Sequence, residues 1–265
     1  MVYINLHTHS KFSDGTLSPN DLIKFAKSRN VRYFSLTDHD TVNSYEFIDK
    51  KLIEDIVFIT GVEISTREND YLHILGYKIN TNNKQLLKSL DEWRKKRILR
   101  VKVMIKKLNE IGINISFDEL NMDELITVGR PHIADVLVKK GYGKTRSEVF
   151  YKYLVEGCYA YVEPLGPTIR EAIDVIKNAN GLGVLAHPAQ IEGYFDIDEL
   201  VRKYEFDGIE VFYPSHTATK VKKYLGIANK YNLIVTAGTD FHGPNTERKV
   251  IDVFEYDVSL YKWLI

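Results

Sequence analysis

The chain has 265 residues, 44% of them hydrophobic and 27% charged, with 36 basic and 36 acidic side chains and no net charge. That balance excludes a disordered chain and gives no overall pull toward nucleic acid or a membrane surface. No run approaches the roughly 18 apolar residues that cross a bilayer, and the N-terminus shows no export signal, so a cytoplasmic location is expected.

The single cysteine, Cys158, rules out an internal disulfide and any cysteine-rich zinc site. Within Glu156-Gly157-Cys158-Tyr159-Ala160 it reads as a small buried residue rather than a nucleophile.

Short apolar runs alternate with helix-like stretches, the pattern of βα units around a parallel sheet. Tyr3 to Leu6 is the first expected strand, and Ser18-Pro19-Asn20-Asp21 opens a helix with a serine cap and proline in its first turn. Tyr33 to Thr37 and Ile56 to Thr60 follow as strands, the latter running into Gly61-Val62-Glu63. Residues 71 to 79 alternate as a fourth, with His73, Leu75 and Tyr77 on one face.

From about 83 to 166 the strand rhythm stops. Leu86, Leu90, Trp93, Val101, Met104, Ile105 and Leu108 mark the apolar face of a long helix that Gly112 ends. Further helices are expected at Asp118 to Leu125, Pro131 to Lys140 and Arg146 to Leu154, making 83–166 an inserted helical subdomain that covers the site. Thr168-Ile169-Arg170-Glu171 is a capping box, and strands resume at Gly183 to Ala186, Asp207 to Phe212 and Leu233 to Thr236. Residues 1–82 and 167–265 therefore form one α/β domain.

All eight histidines stand in short polar clusters, and nearly every cluster follows the C-terminal end of an expected strand, where α/β enzymes assemble their sites. On an extended segment His7 and His9 point to the same side and can grip one ion, or else be two polar residues at an exposed strand end. His73, flanked by Leu72 and Ile74, reads alone as a satisfied core histidine. Six histidines and three acids (Asp14, Glu63, Asp240) at strand ends exceed chance placement and point to a multinuclear metal site. Asp38 and Asp40 either orient imidazoles or form local turns.

H-x-H at His7, S-D-G-T at Ser13, T-D-H-D at Thr37, the lone Glu63, His73, A-H-P at Ala186 and T-D-F-H at Thr239 occur in one order along the chain. In this the sequence resembles the PHP (polymerase and histidinol phosphatase) superfamily. The resemblance implies an α/β fold of the PHP type, a distorted (β/α)7 barrel, holding two to three divalent ions of Mn²⁺, Fe²⁺ or Zn²⁺. It assigns His7, His9, Glu63 and Asp240 to a first ion, Glu63, His73 and His187 to a second, and Asp14, His39 and His242 to a third.

Two cations sharing Glu63 would lower the pKa of a water between them, and their excess charge suits a phosphate dianion. Asp240, Arg130 and His216 are the expected catalytic groups. Arg130, preceding Pro131 at a helix start, would fork onto phosphate beside His132, and Ser215 and His216 would contact substrate, His216 by protonating the leaving oxygen. The G-R-P-H and Y-P-S-H segments resemble the branch that includes nucleoside 3',5'-bisphosphate and AMP phosphatases and 5'-to-3' exoribonucleases. That implies a small nucleotide, or the 5'-monophosphorylated end of a short RNA, as substrate. A phosphatase of a small metabolite such as histidinol phosphate, and a regulatory module that binds nucleotides without cleaving them, stand as alternatives. The basic run from Arg94 to Lys107 reads as the solvated face of an amphipathic helix rather than a polyanion track.

Overall fold

The computed structural model describes residues 1–264. Seven strands form the barrel, each where an apolar run was expected: β1 (Tyr3–Asn5), β2 (Val31–Leu36), β3 (Val57–Ser65), β4 (His73–Tyr77), β5 (Leu182–Leu185), β6 (Gly208–Phe212) and β7 (Ile234–Ala237). A two-residue strand, β8 (Phe254–Glu255), pairs antiparallel with β1 at the sheet edge. The order is β7-β6-β5-β4-β3-β2-β1-β8. Beyond β1 the chain bends to meet the far edge, where the Leu6 N–H donates to the Ala237 carbonyl (2.9 Å) and the His9 N–H to that of Phe241 (2.8 Å), nearly closing the barrel.

The sheet is not wholly parallel. β4 runs antiparallel to both β3 and β5, because the short segment from Thr66 to Leu72 cannot make the crossover of a dozen residues that a parallel pair needs. β3 also continues past Gly61 to Ser65, held by pairing of Glu63 with Leu75.

The first helix, α1 (Pro19–Ser28), is capped by Ser18, whose side chain accepts the Asp21 N–H. Only 3₁₀ turns separate β2 from β3. Between β4 and β5 lie α2 (Lys84–Glu110), α3 (Arg130–Lys139), α4 (Arg146–Val149) and α5 (Ile169–Asn178), the last started by the Thr168–Glu171 capping box. α6 (Ile197–Tyr204) and α7 (Ala218–Tyr231) follow β5 and β6.

The helix expected at 118–125 is a single 3₁₀ turn, Asp118–Leu120, ended by Asn121 in the left-handed conformation (φ 50°). The one expected at 146–154 is α4 followed by a π-type turn, Phe150–Leu154.

Helix α2 joins two apolar cores. Leu86, Leu90 and Trp93 pack with the barrel core around Ile74, Leu75 and Val184, whereas Val101, Met104, Ile105 and Leu108 pack with Ile133, Leu137 and Leu154 in a second core. One rigid helix thus fixes the second core against the barrel. No helix among the described residues is long and apolar enough to cross a membrane.

Closure of the barrel leaves no room for a side chain at Gly238, where a Cβ would lie 2.2 Å from that of His7 and 2.6 Å from the Glu210 carboxylate. Gly238→Ala is therefore expected to cost about 1–3 kcal/mol through overpacking, read as a lowered urea midpoint at unchanged m-value. An unchanged midpoint would show that the closure is loose.

Candidate metal centre

The six histidines and three acids singled out in the sequence converge at one end of the barrel, beyond or near the C-terminal ends of the parallel strands and at the N-terminal end of the antiparallel β4. Glu63, on β3, has no exposed surface and stands within 3.2 Å of five imidazoles: His7 (3.2 Å), His9 (3.2 Å), His39 (3.0 Å), His73 (2.9 Å) and His187 (3.2 Å). Asp240 lies 3.1 Å from His9 and 3.6 Å from His7, and Asp14 lies 3.1 Å from His242.

Three sets of donor atoms face one another. They are His7, His9, Glu63 and Asp240; His9, Asp14, His39 and His242; and His39, Glu63 and His73. The first matches the expected grouping. In the second His9 joins the expected set, and in the third His39 stands where His187 was expected, the His187 ring keeping its contact with Glu63.

The donor set fits divalent ions. His7 Nε2, His9 Nε2, His39 Nδ1, Asp14 Oδ1, Glu63 Oε2 and Asp240 Oδ1 are all buried with no hydrogen-bond partner, which a folded protein rarely tolerates. They face one another within the three sets. Ligand bonds of about 2.1 Å place neighbouring donors roughly 3.0–3.5 Å apart, the spacing seen around Glu63. Nitrogen and carboxylate ligands suit Mn²⁺, Fe²⁺ or Zn²⁺.

Charge is shared tightly among these side chains. Burial alone would push Glu63, Asp14 and Asp240 up, yet the imidazoles, and for Asp240 first Arg248, hold all three well below the usual carboxylate range. Burial opposes charge on His9 and His7, but the carboxylates that face them raise both, His9 to about 9. His39 and His187 are pulled down by burial, toward the neutral form that a metal ligand takes.

The backbone is bent to this purpose. His187 (φ 28°) and Asp240 (φ 53°) are in left-handed conformations, which cost non-glycine residues energy and cluster at functional sites.

Several groups support the cluster from behind. Glu210, fully buried on β6, accepts from His7 Nδ1 (3.1 Å) and from the His187 N–H (2.8 Å), aiming His7 Nε2 into the cluster. Its one clue was an acid inside the run Gly208 to Phe212. Tyr213 donates to Asp240 Oδ2 (3.1 Å), as does Arg248. Asp38 is a turn-former, accepting from the Ser10 N–H (2.7 Å), Ser10 Oγ (2.8 Å) and Ser13 Oγ (2.8 Å). Asp40 accepts from the Ser65 N–H (3.0 Å) and from Arg97; neither aspartate bonds an imidazole directly, Asp38 reaching His9 Nδ1 through the Ser13 hydroxyl (3.4 Å).

A cavity of about 1130 Å³ opens over the cluster between barrel and helices. Asp14, His39, His73, His187 and His242 form its floor, and Arg97, Arg100, Arg130, Arg146 and Arg248 stand in its walls with Trp93, Tyr71 and Phe150. Arg97 and Arg100 belong to the basic run of α2, which turns these two inward while Lys95 stays exposed beside Asp91. Arg100 (2.7 Å) and Arg130 (2.9 Å) share the single carboxylate of Asp70, leaving one positive charge uncompensated.

Three expected substrate contacts are placed otherwise. His132 borders the cavity, but its Nδ1 accepts the Gly129 N–H (3.0 Å) and its Nε2 donates to the Ser13 carbonyl (3.0 Å), so neither nitrogen remains for a phosphate. Ser215 and His216 do not line the cavity: His216 Nδ1 donates to the Val211 carbonyl (2.8 Å), folding the ring back on its own strand end between Tyr213 and Tyr224.

An α/β barrel with a histidine and carboxylate cluster at its strand ends is the architecture of a metal-dependent hydrolase. The PHP domain family matches residues 5–118. The 3',5'-nucleoside bisphosphate phosphatase of Chromobacterium violaceum is 32% identical over 252 residues, covering 92% of this chain and 88% of that protein. The 5'-3' exoribonuclease Rnm of Salmonella typhimurium is 31% identical, covering 92% and 86%. A Bifidobacterium adolescentis protein assigned as a metal-dependent phosphoesterase superposes with a TM-score of 0.88 at 26% identity over 98% of this chain and 94% of its own. The chain belongs to the PHP family and is a metal-dependent phosphoesterase, a hydrolase.

Replacing Glu210 by Gln removes the charge that holds the His7 ring while keeping its shape. A 10- to 100-fold weaker affinity for Mn²⁺ is expected, measured calorimetrically on chelator-treated protein. Wild-type affinity in a folded Glu210→Gln would show that the carboxylate does not orient His7.

Proposed function

We propose that the protein hydrolyses phosphate esters of nucleotides, with AMP, a nucleoside 3',5'-bisphosphate or the 5'-monophosphorylated end of a short RNA as substrate. The observation that carries this reading is the pairing of the cluster with a wall of arginines, one charge in excess, across a cavity larger than a small metabolite needs. The named activities of the Chromobacterium and Salmonella relatives support the same substrate class.

In this reading His7, His9, Asp14, His39, Glu63, His73, His187, Asp240 and His242 hold two or three divalent ions. Bound there, such ions supply Lewis acidity and lower the pKa of a coordinated water. The remaining groups bind and orient. Arg130, held by Asp70 and flanked by Tyr71 (6.0 Å) and Phe150 (5.5 Å), presents its guanidinium to the substrate phosphate, and Arg100 reinforces its charge. Arg248 and Tyr213 fix the carboxylate of Asp240. Residues 83–166 act as a helical subdomain that roofs the site, with 1–82 and 167–265 as the barrel. Water exclusion under that roof strengthens each charged contact.

Phosphate release from a panel containing AMP, nucleoside 3',5'-bisphosphates, 5'-phosphorylated oligoribonucleotides and histidinol phosphate, with Mn²⁺, tests the reading. Nucleotide turnover is expected, lost in His9→Ala and Asp240→Ala and lowered about 10²-fold in kcat/KM by Arg130→Ala, an energy of roughly 3 kcal/mol. Preference for histidinol phosphate over every nucleotide would replace this substrate class. Tight nucleotide binding without release would make the protein a binding module.

A further inference from the structure

The helical insert touches the metal centre through a turn rather than through a ligand. The turn from Ser10 to Thr16 carries Asp14, and it is tight enough that a Cβ at Gly15 would meet the His9 carbonyl oxygen at 2.1 Å. On its barrel side the turn is gathered by Asp38. On its other side it is fastened to the insert, where the Thr127 N–H donates to the Phe12 carbonyl (2.8 Å) and His132 Nε2 to the Ser13 carbonyl (3.0 Å).

His132 has no freedom in this arrangement. Its Nδ1 faces a backbone N–H, which can only donate, and its Nε2 faces a carbonyl, which can only accept. The ring is therefore neutral with its proton on Nε2. It caps α3 with one nitrogen and pins the residue before Asp14 with the other.

We infer that His132 is a positioning residue for Asp14, so that the ion site formed by His9, Asp14, His39 and His242 is complete only when the insert is docked. The inference rests on the metal-centre reading above. Asp14 contacts His242 at 3.1 Å but His9 and His39 only at 3.8 and 4.0 Å, so a small swing of its turn opens the set. Arg130 stands two residues before His132 on the same helix start and faces the cavity. Anything that moves this helix end, an anion on Arg130 included, is thereby coupled to the ion held by Asp14.

The two nitrogens can be tested apart, because the amide of Asn reaches the position of Nδ1 and that of Gln the position of Nε2. His132→Asn keeps the cap of α3 and loses the Ser13 contact, whereas His132→Gln keeps the contact. Mn²⁺ stoichiometry and affinities are measured on the full chain by elemental analysis and calorimetry, with Asp14→Asn identifying the equivalent that belongs to this site. His132→Asn is expected to weaken that equivalent tenfold or more and leave the others unchanged, and His132→Gln to retain it. Loss of that equivalent in folded His132→Gln, wild-type binding in His132→Asn, or a parallel loss of all equivalents overturns the assignment. Wild-type protein that takes up no Mn²⁺ removes the metal reading and this inference with it.

Discussion

A carboxylate can be buried only where charge or hydrogen bonds repay its lost hydration. Glu63 is fully buried at the centre of the barrel mouth, and five imidazoles surround it. The five imidazoles come from four separate stretches of chain, so the barrel must close before Glu63 is satisfied. The pairing of Glu63 with Leu75 across β3 and β4 sets its depth, and the Leu6–Ala237 and His9–Phe241 bonds bring His7 and His9 to it. Fold and site are thus one construction. Loss of closure at Gly238 would strand a charge as well as a strand.

Much of this was legible in the sequence because strands and metal ligands leave periodic, local marks. Seven apolar runs announced seven strands, and the polar residues at their ends are the ones that meet in space. The direction of β4 was not legible, since alternation reports which face a residue takes and not which way the strand runs. β8 spans two residues and has no period at all. The helix expected at 118–125 looked sound by composition, yet Asn121 adopts the left-handed backbone that ends it.

The supporting groups were hidden for a different reason. Glu210 in a strand looks like any outward polar residue until β7 and β1 close over it. Arg97 and Arg100 sit in a helix charged on most sides, and only the docking of α2 into two cores decides which charges turn inward. His132 and His216 stood in conspicuous motifs, but a motif gives a residue's place in the chain and not the direction of its ring. His132 spends both ring nitrogens on backbone groups, and His216 spends Nδ1 on the Val211 carbonyl, outside the cavity lining.

The division of labour that results has a physical logic. Most of the cluster sits at strand ends of the barrel, whereas Arg97, Arg100, Arg130 and Arg146 of the cavity wall sit on α2, α3 and α4. The floor therefore keeps its geometry while the wall can be reshaped for different phosphate esters without disturbing the cluster. The turn of Asp14 is the exception, since it belongs to the floor but is braced by the insert. On the inferred role of His132, an ion held by His9, Asp14, His39 and His242 would report on whether the helices over the barrel are docked, because the Asp14 turn is fastened to them through Thr127 and His132.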